Sequence, residues 1–291
     1  PPFGPGYRLG DGYPAAPKDL NIDGVRKELN ATTLDGVLAA NGDVIHSEHL
    51  APGIAELSSA AVPVSIFSTK TSTSKTRGVV IFVHGGGQVS GNRFFAVPLH
   101  YVTDDSVVAA VEYRLAPEHR APAGAYDCYA AAVHLSEHAA ELGIDPAKMV
   151  FLGMSGGCAP AAAACLLARQ MKRPQPEIRA VVLSIPMLDD REHYTSWKQF
   201  ESQTIWPGRH NRAAWEAVLG PGDRTNVTDT QVPARAETLA GLPDVFIDVG
   251  ECEVFRDSAI AFAAKTLADG GSCELHVWPG MYHGAYGLEP D

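Results

Sequence analysis

The chain has 291 residues, 45% hydrophobic and 20% charged, which is ample for one large α/β core or two small ones. A net charge of −11 at pH 7 and the lack of any basic run exclude nucleic acid and anionic membrane as natural partners. No apolar stretch approaches the roughly 18 residues of a membrane span.

The five cysteines, Cys128, Cys158, Cys165, Cys252 and Cys273, are scattered, and none forms a Cys-x-x-Cys pair. They read as free thiols in a reducing cytosol, so a cytoplasmic protein is expected, with a leader upstream of Pro1 left open. Asn226-Val227-Thr228 fits a glycosylation sequon, a triplet too frequent by chance to weigh.

Residues 1–50 are rich in Pro, Gly and Asp. They carry two short helical patterns, 23–29 and 33–41, and read as having no core strand. Residues 61–68 alternate like a strand, with Val62, Val64 and Ile66 on one face. Residues 69–77 are polar and read as a hairpin loop. The runs 79–83 and 107–111 are unbroken and apolar, as in strands covered on both faces. A helical pattern over 123–142 stops at Gly143 and Asp145-Pro146.

Residues 149–152 read as a strand and the Ala-rich run 159–170 as a helix. Between them lies Gly153-Met154-Ser155-Gly156-Gly157. Strand, Gly-x-Ser-x-Gly, helix is the context of a nucleophile elbow, a turn so tight that the serine hydroxyl stands clear of the chain. The same pentapeptide also reads as a plain strand-to-helix turn. Residues 179–186 read as a further buried strand, Ala-Val-Val-Leu-Ser-Ile. The segment from Leu188 to about Asp229 breaks the alternation and holds Tyr194, Trp197, Phe200, Trp206 and Trp215, as an inserted cap or acyl-pocket lining would. Strand, helix and strand then resume at 245–250, 256–268 and 273–278, and His283 follows in a loop. This repeated alternation predicts an α/β fold with a mostly parallel sheet and helices on both faces. In such sheets reactive groups gather at the carboxyl ends of strands, where His84–Gly87, Ser155, Glu253 and His283 all fall.

His84-Gly85-Gly86-Gly87 follows the strand at 79–83, and such a loop exposes backbone N–H groups to a ligand oxygen. With the serine motif it forms a linked pair. Val111-Glu112-Tyr113-Arg114-Leu115-Ala116-Pro117-Glu118-His119, Pro186-Met187-Leu188-Asp189-Asp190-Arg191, Gly241-Leu242-Pro243 and Trp278-Pro279-Gly280-Met281-Tyr282-His283-Gly284 add to it. On these residues the chain resembles the hormone-sensitive-lipase-like carboxylesterases from about residue 78 to 286.

The resemblance implies an α/β-hydrolase fold whose core is residues 51–189 and 226–291, with a helical cap from 1–50 and 190–225. It implies Ser155 as nucleophile, His283 as general base, and an oxyanion hole of the Gly86, Gly87 and Gly156 backbone N–H groups. The substrate would be a small carboxylic ester of short to medium acyl chain. No metal and no cofactor is implied. The family usually has aspartate where this chain has Glu253, so Glu253 is the expected triad acid, with Asp257 and Asp248 as alternatives. Met154 and Gly156 also depart from the usual elbow.

His84 reads as a support of the glycine loop. Arg114, Glu118 and Asp127 read as structural partners, Cys158 and Cys252 as inert buried thiols, and His46, His134 and His138 as ordinary packing or surface residues. A lactone, amide or metabolite-ester hydrolase with the same triad, or a non-catalytic small-molecule receptor of the same fold, are the competing readings. The strand at 273–278 is an expected sheet edge, open to homodimer pairing. A final helix beyond the present C-terminus is also expected from the family.

Overall fold

The computed structural model describes residues 16–285, residues 75 and 203 excepted. The first fifteen residues of the expected cap and any final helix lie outside the described residues. Helices α1 (Ile22–Leu29) and α2 (Leu34–Ala40) are each started by a side-chain cap. Asn21 and Thr33 accept from the backbone N–H of Gly24 and Gly36. They are followed by β1 (Val44–Ala51), β2 (Val62–Thr69), β3 (Arg77–Val83) and β4 (Ser106–Val111). Helices α3 (Ala123–Glu137) and α4 (Ala139–Leu142) lead to β5 (Ile144–Met154), α5 (Cys158–Met171) and β6 (Ala180–Ser184). Two further helices, α6 (Thr195–Gln199) and α7 (Gly208–Leu219), precede β7 (Asp244–Gly250), α8 (Arg256–Ala268) and β8 (Cys273–Trp278).

Among the described residues, eight strands form one sheet in the order β1-β2-β4-β3-β5-β6-β7-β8. Only β2 runs against the others, pairing antiparallel with both β1 and β4. Two expectations are corrected here. Residues 1–50 do contribute a core-sheet strand, because β1 pairs with β2 over its whole length. The pattern of β1 hides this: as an edge strand it leaves most side chains partly exposed, so no apolar run marks it. The loop between Thr69 and Arg77 is no hairpin, since β4 lies between β2 and β3. Chain order cannot reveal such an interposed strand.

The apolar run in β3 divides between two faces. Val79, Ile81 and Val83 join the large core, while Phe82 packs with Phe67, Val108, Ala110 and Val37 on the other side. On the large-core side α5 lies against α3 through small residues. Ala130, Ala131 and Ala132 and Ala161, Ala162, Ala163 and Ala164 are all buried. This close fit holds α5 under the end of β5 and so sets where that strand must turn. β8 is the far edge of the sheet among the described residues.

Candidate active site

The turn after β5 brings Ser155 to φ 51°, in the left-handed region that a residue with a β-carbon avoids. Its neighbours explain why it holds. A β-carbon on Gly157 would stand 2.2 Å from the carbonyl oxygen of Val83, and one on Gly153 would stand 2.7 Å from Cys158 Cα. Strand β3, the turn and α5 therefore close on each other with no room for side chains. Met187 N–H donates to the Ser155 carbonyl at 3.1 Å and fixes the turn from β6's side.

The serine hydroxyl lies 3.0 Å from Nε2 of His283, and the other ring nitrogen lies 2.6 Å from Oε2 of Glu253. Ser155 and His283 are each 8% exposed and Glu253 is fully buried. The second carboxylate oxygen of Glu253 accepts from Gly250 N–H at 2.8 Å, so both oxygens are used. The glutamate loop and the histidine loop are tied to each other. Cys252 N–H donates to the Met281 carbonyl at 2.8 Å, and Gly280 N–H donates to Glu251 Oε2 at 2.8 Å. An Nδ1–H donated to Glu253 leaves Nε2 as the acceptor facing Ser155. This line of groups can take the serine proton and hold the positive charge that then forms.

The other acidic candidates are engaged elsewhere. Asp257 accepts from Ser196 N–H at 2.7 Å and Arg256 Nε at 2.8 Å, which fastens α6 to the start of α8. Asp248 is hydrogen-bonded by Ser184 and Trp278, and burial raises its carboxyl above the usual range. Burial likewise raises the Cys158 and Cys252 thiols, as expected of inert thiols.

The glycine loop runs beside the elbow. A β-carbon on Gly156 would meet Gly87 N at 2.5 Å and Gln88 N at 2.6 Å, so those backbone amides border the serine turn. Gly86 has φ 108° and packs against Ser90, and its carbonyl accepts from Val89 N–H, Ser90 N–H and Ser90 Oγ. His84 is fully buried beneath, with Nδ1 2.8 Å from the Gly85 carbonyl and its ring stacked on Tyr113 at 4.3 Å. Burial pushes its pKa down to about 4, so the ring is neutral near pH 7. Tyr113 donates its hydroxyl to the His84 carbonyl at 2.8 Å. Arg114 and Asp127 pair at 2.8 Å, as expected, but Glu118 turns away to Arg26.

Three contributors reach the glycine loop from elsewhere in the chain, and of these only Trp206 had a signal in the sequence, among the aromatic residues of 194–215. Trp206 of the cap lies on Gly87, where its Cη2 would be 2.7 Å from a β-carbon. Arg26 and Asn30 of the N-terminal segment bond to the backbone of Val89 and Gly91. Each meets its partner across tens of residues of chain, so no local motif marks it. The aspartates of the 186–191 motif are structural: buried Asp189 takes Arg191 and Tyr194, and buried Asp190 takes Arg224 and Arg235.

A family model described as alpha/beta hydrolase fold matches residues 80–287. The chain belongs to that family, in its hormone-sensitive-lipase-like branch. Carboxylesterase NlhH of Mycobacterium tuberculosis is 35% identical over 215 residues, which are 71% of this chain and 66% of that protein. The chain thus spans just under two thirds of the length of that relative. Among solved structures, a bacterial heroin esterase superposes with a TM-score of 0.84 at 31% identity, covering 93% of this chain and 86% of the other. Esterase LipW from Mycobacterium marinum gives 0.80 at 28% identity, covering 93% and 84%. Among the described residues of this family member, no helix is long and apolar enough to cross a membrane.

Proposed function

We propose that the chain is a serine carboxylesterase acting on small esters of short to medium acyl chain through an acyl-enzyme intermediate. The observation that carries this reading is the continuous line Ser155 Oγ, His283, Glu253, at 3.0 Å and 2.6 Å. Ser155 attacks the ester carbonyl as His283 Nε2 takes its proton, and Glu253 stabilises the resulting imidazolium. The negative oxygen of the tetrahedral intermediate is held by backbone N–H groups of the 86–87 loop and of Gly156. Such donors are each worth about 2.7–4 kcal/mol in the transition state. His283 then protonates the leaving alcohol, and water releases the acid by the same steps. The esterase names of the relatives support an ester substrate. Trp206 lying on Gly87 supports a short acyl group, because its ring takes up space beside the loop. The net charge of −11 and five free cysteines are in keeping with a cytoplasmic setting.

The test is a panel of p-nitrophenyl esters together with a fluorophosphonate label. Wild type is expected to be labelled and to turn over short-chain esters, and Ser155→Ala to lose both by several orders of magnitude while staying folded. Labelling without turnover of any simple ester would point to a lactone, an amide or one specific ester. Ester hydrolysis by Ser155→Ala at the wild-type rate would remove the assignment.

A further inference from the structure

The glycine loop is costly to hold in one shape. Gly86, Gly87, Gln88 and Gly91 have φ of 108°, 62°, 62° and 91°; the glycines give up much conformational freedom there, and Gln88, with its β-carbon, is strained. Such a run keeps one shape only if its surroundings over-determine it. From below, His84 and the Gly86 carbonyl contacts do part of this. From above, the contacts come from α1.

Arg26 of α1 makes four hydrogen bonds. Its Nε donates to the Val89 carbonyl at 2.7 Å, Nη2 donates to the Ala116 carbonyl at 2.9 Å, and Nη1 and Nη2 grip the two carboxylate oxygens of Glu118 at 2.7 Å each. Val89 follows Gly87 and Gln88 directly in the chain, and Ala116 N–H donates back to the Gln88 carbonyl at 2.9 Å. One planar guanidinium therefore bridges the loop after β3 and the loop after β4, at the residues next to the amides that border Ser155. Asn30, at the end of the same helix, accepts from Gly91 N–H at 3.0 Å. We propose that Arg26 is a positioning residue for the oxyanion-binding amides, so that the N-terminal cap helix forms part of the catalytic apparatus as well as a cover.

Only a rigid fork does this. Lysine has the charge but offers a single point donor and cannot span Val89, Ala116 and Glu118 together. Glu118 keeps the fork oriented. Its hydrogen bond to Arg26 draws the carboxyl down to about 2, so the grip persists throughout neutral and mildly acidic pH.

This inference rests on the proposed oxyanion loop, and the experiment separates the two. Arg26→Met and Arg26→Lys are compared with wild type for kcat, KM, thermal midpoint and affinity for an alkyl boronic acid. The boronic acid forms a tetrahedral adduct with Ser155 and places an oxygen where the oxyanion would sit. Arg26→Met is expected to lower kcat about tenfold to a hundredfold, with KM changed less than about threefold and boronate affinity falling in parallel with kcat/KM. Arg26→Lys is expected to show the same pattern at smaller size. A change in KM or thermal midpoint alone, with kcat and boronate affinity kept, would overturn the proposal. Should Arg26→Met not fold, Arg26→Lys decides on the same readings, and wild-type kcat and boronate affinity in it count against the proposal. If wild type binds no boronate and Ser155→Ala keeps activity, the failure lies with the proposed site and not with Arg26.

Discussion

Glu253 shows how a one-carbon departure from a family pattern is absorbed. Its carboxylate receives Gly250 N–H on one oxygen and His283 on the other, so the backbone of its own loop holds the longer side chain in place. Glutamine at this position keeps the Gly250 bond through its oxygen and turns an amide NH2 toward the histidine. His283 then protonates on Nε2, which faces Ser155 with a donor where an acceptor is needed. Glu253→Gln is therefore expected to lower kcat by about 10²–10⁴-fold. Asp257→Asn is expected to cost less than about tenfold, because Asp257 serves Ser196 and Arg256 and not His283. Glu253→Asp is expected to keep measurable activity, reduced because the shorter side chain must leave one of its two partners. Steady-state kinetics of the three variants checks the set, and equal mild losses in the first two would show that neither carboxylate orients the histidine.

At the scale of elements, the N-terminal segment and residues 190–225 are stitched to each other. Arg209 of α7 donates to the carbonyls of Ala16, Pro17 and Lys18, and His210 Nε2 lies 2.7 Å from the Pro17 carbonyl. Residues 16–18 and α7 are thus tied together, and both the N-terminal segment and the 190–225 segment reach the glycine loop, Arg26 at Val89 and Trp206 at Gly87. Deletion of residues 1–30 leaves every strand of the sheet intact, β1 included, but removes Arg26 and Asn30 and uncovers the core contacts of Leu20 and Ile22. The shortened chain is expected to fold cooperatively with a lower thermal midpoint and to lose about tenfold or more in kcat. Near-UV circular dichroism during melting and ester turnover check both halves. Cooperative folding with full kcat would reduce the segment to a dispensable cover.

At the scale of the whole molecule, burial of His84 is expected to make stability sensitive to acid. His84 is buried and neutral, with its pKa pushed from the ordinary 6.5 down to about 4 by desolvation. The unfolded chain binds a proton on this ring below pH 6.5 and the folded chain does not until about pH 4. Stability from this group is therefore complete above pH 6.5, is lost as pH falls through that window, and falls no further below it. The loss is roughly 3 kcal/mol by the size of the shift. His84→Asn keeps a donor for the Gly85 carbonyl and removes the titration. Its urea midpoint is expected to depend less steeply on pH between 6.5 and 4 than that of wild type, whatever its absolute stability. Parallel pH slopes for the two proteins would show that His84 is not the sensitive group.

Much of this architecture is local enough to be legible in the chain. The apolar runs of β3 and β4 mark strands largely buried on both faces, because burial on both faces demands apolar residues at nearly every position. The Gly-x-Ser-x-Gly turn is legible because close approach of β3 and α5 removes side chains at fixed offsets from Ser155. Glu253 and His283 are legible as motif positions after strands. Strand β1 is not, because an edge strand leaves most of its side chains partly exposed and so has no apolar signature. Nor is the interposition of β4 between β2 and β3, since pairing order depends on which faces find cover. That Glu253 and not Asp257 meets His283 rests on a loop that faces His283 and a helix start that faces Ser196. Arg26, Asn30 and Trp206 come to the glycine loop only through tertiary packing. Their hydrogen bonds and contacts join residues far apart in the chain, where a side chain's type says what it can hold but not what will be within its reach.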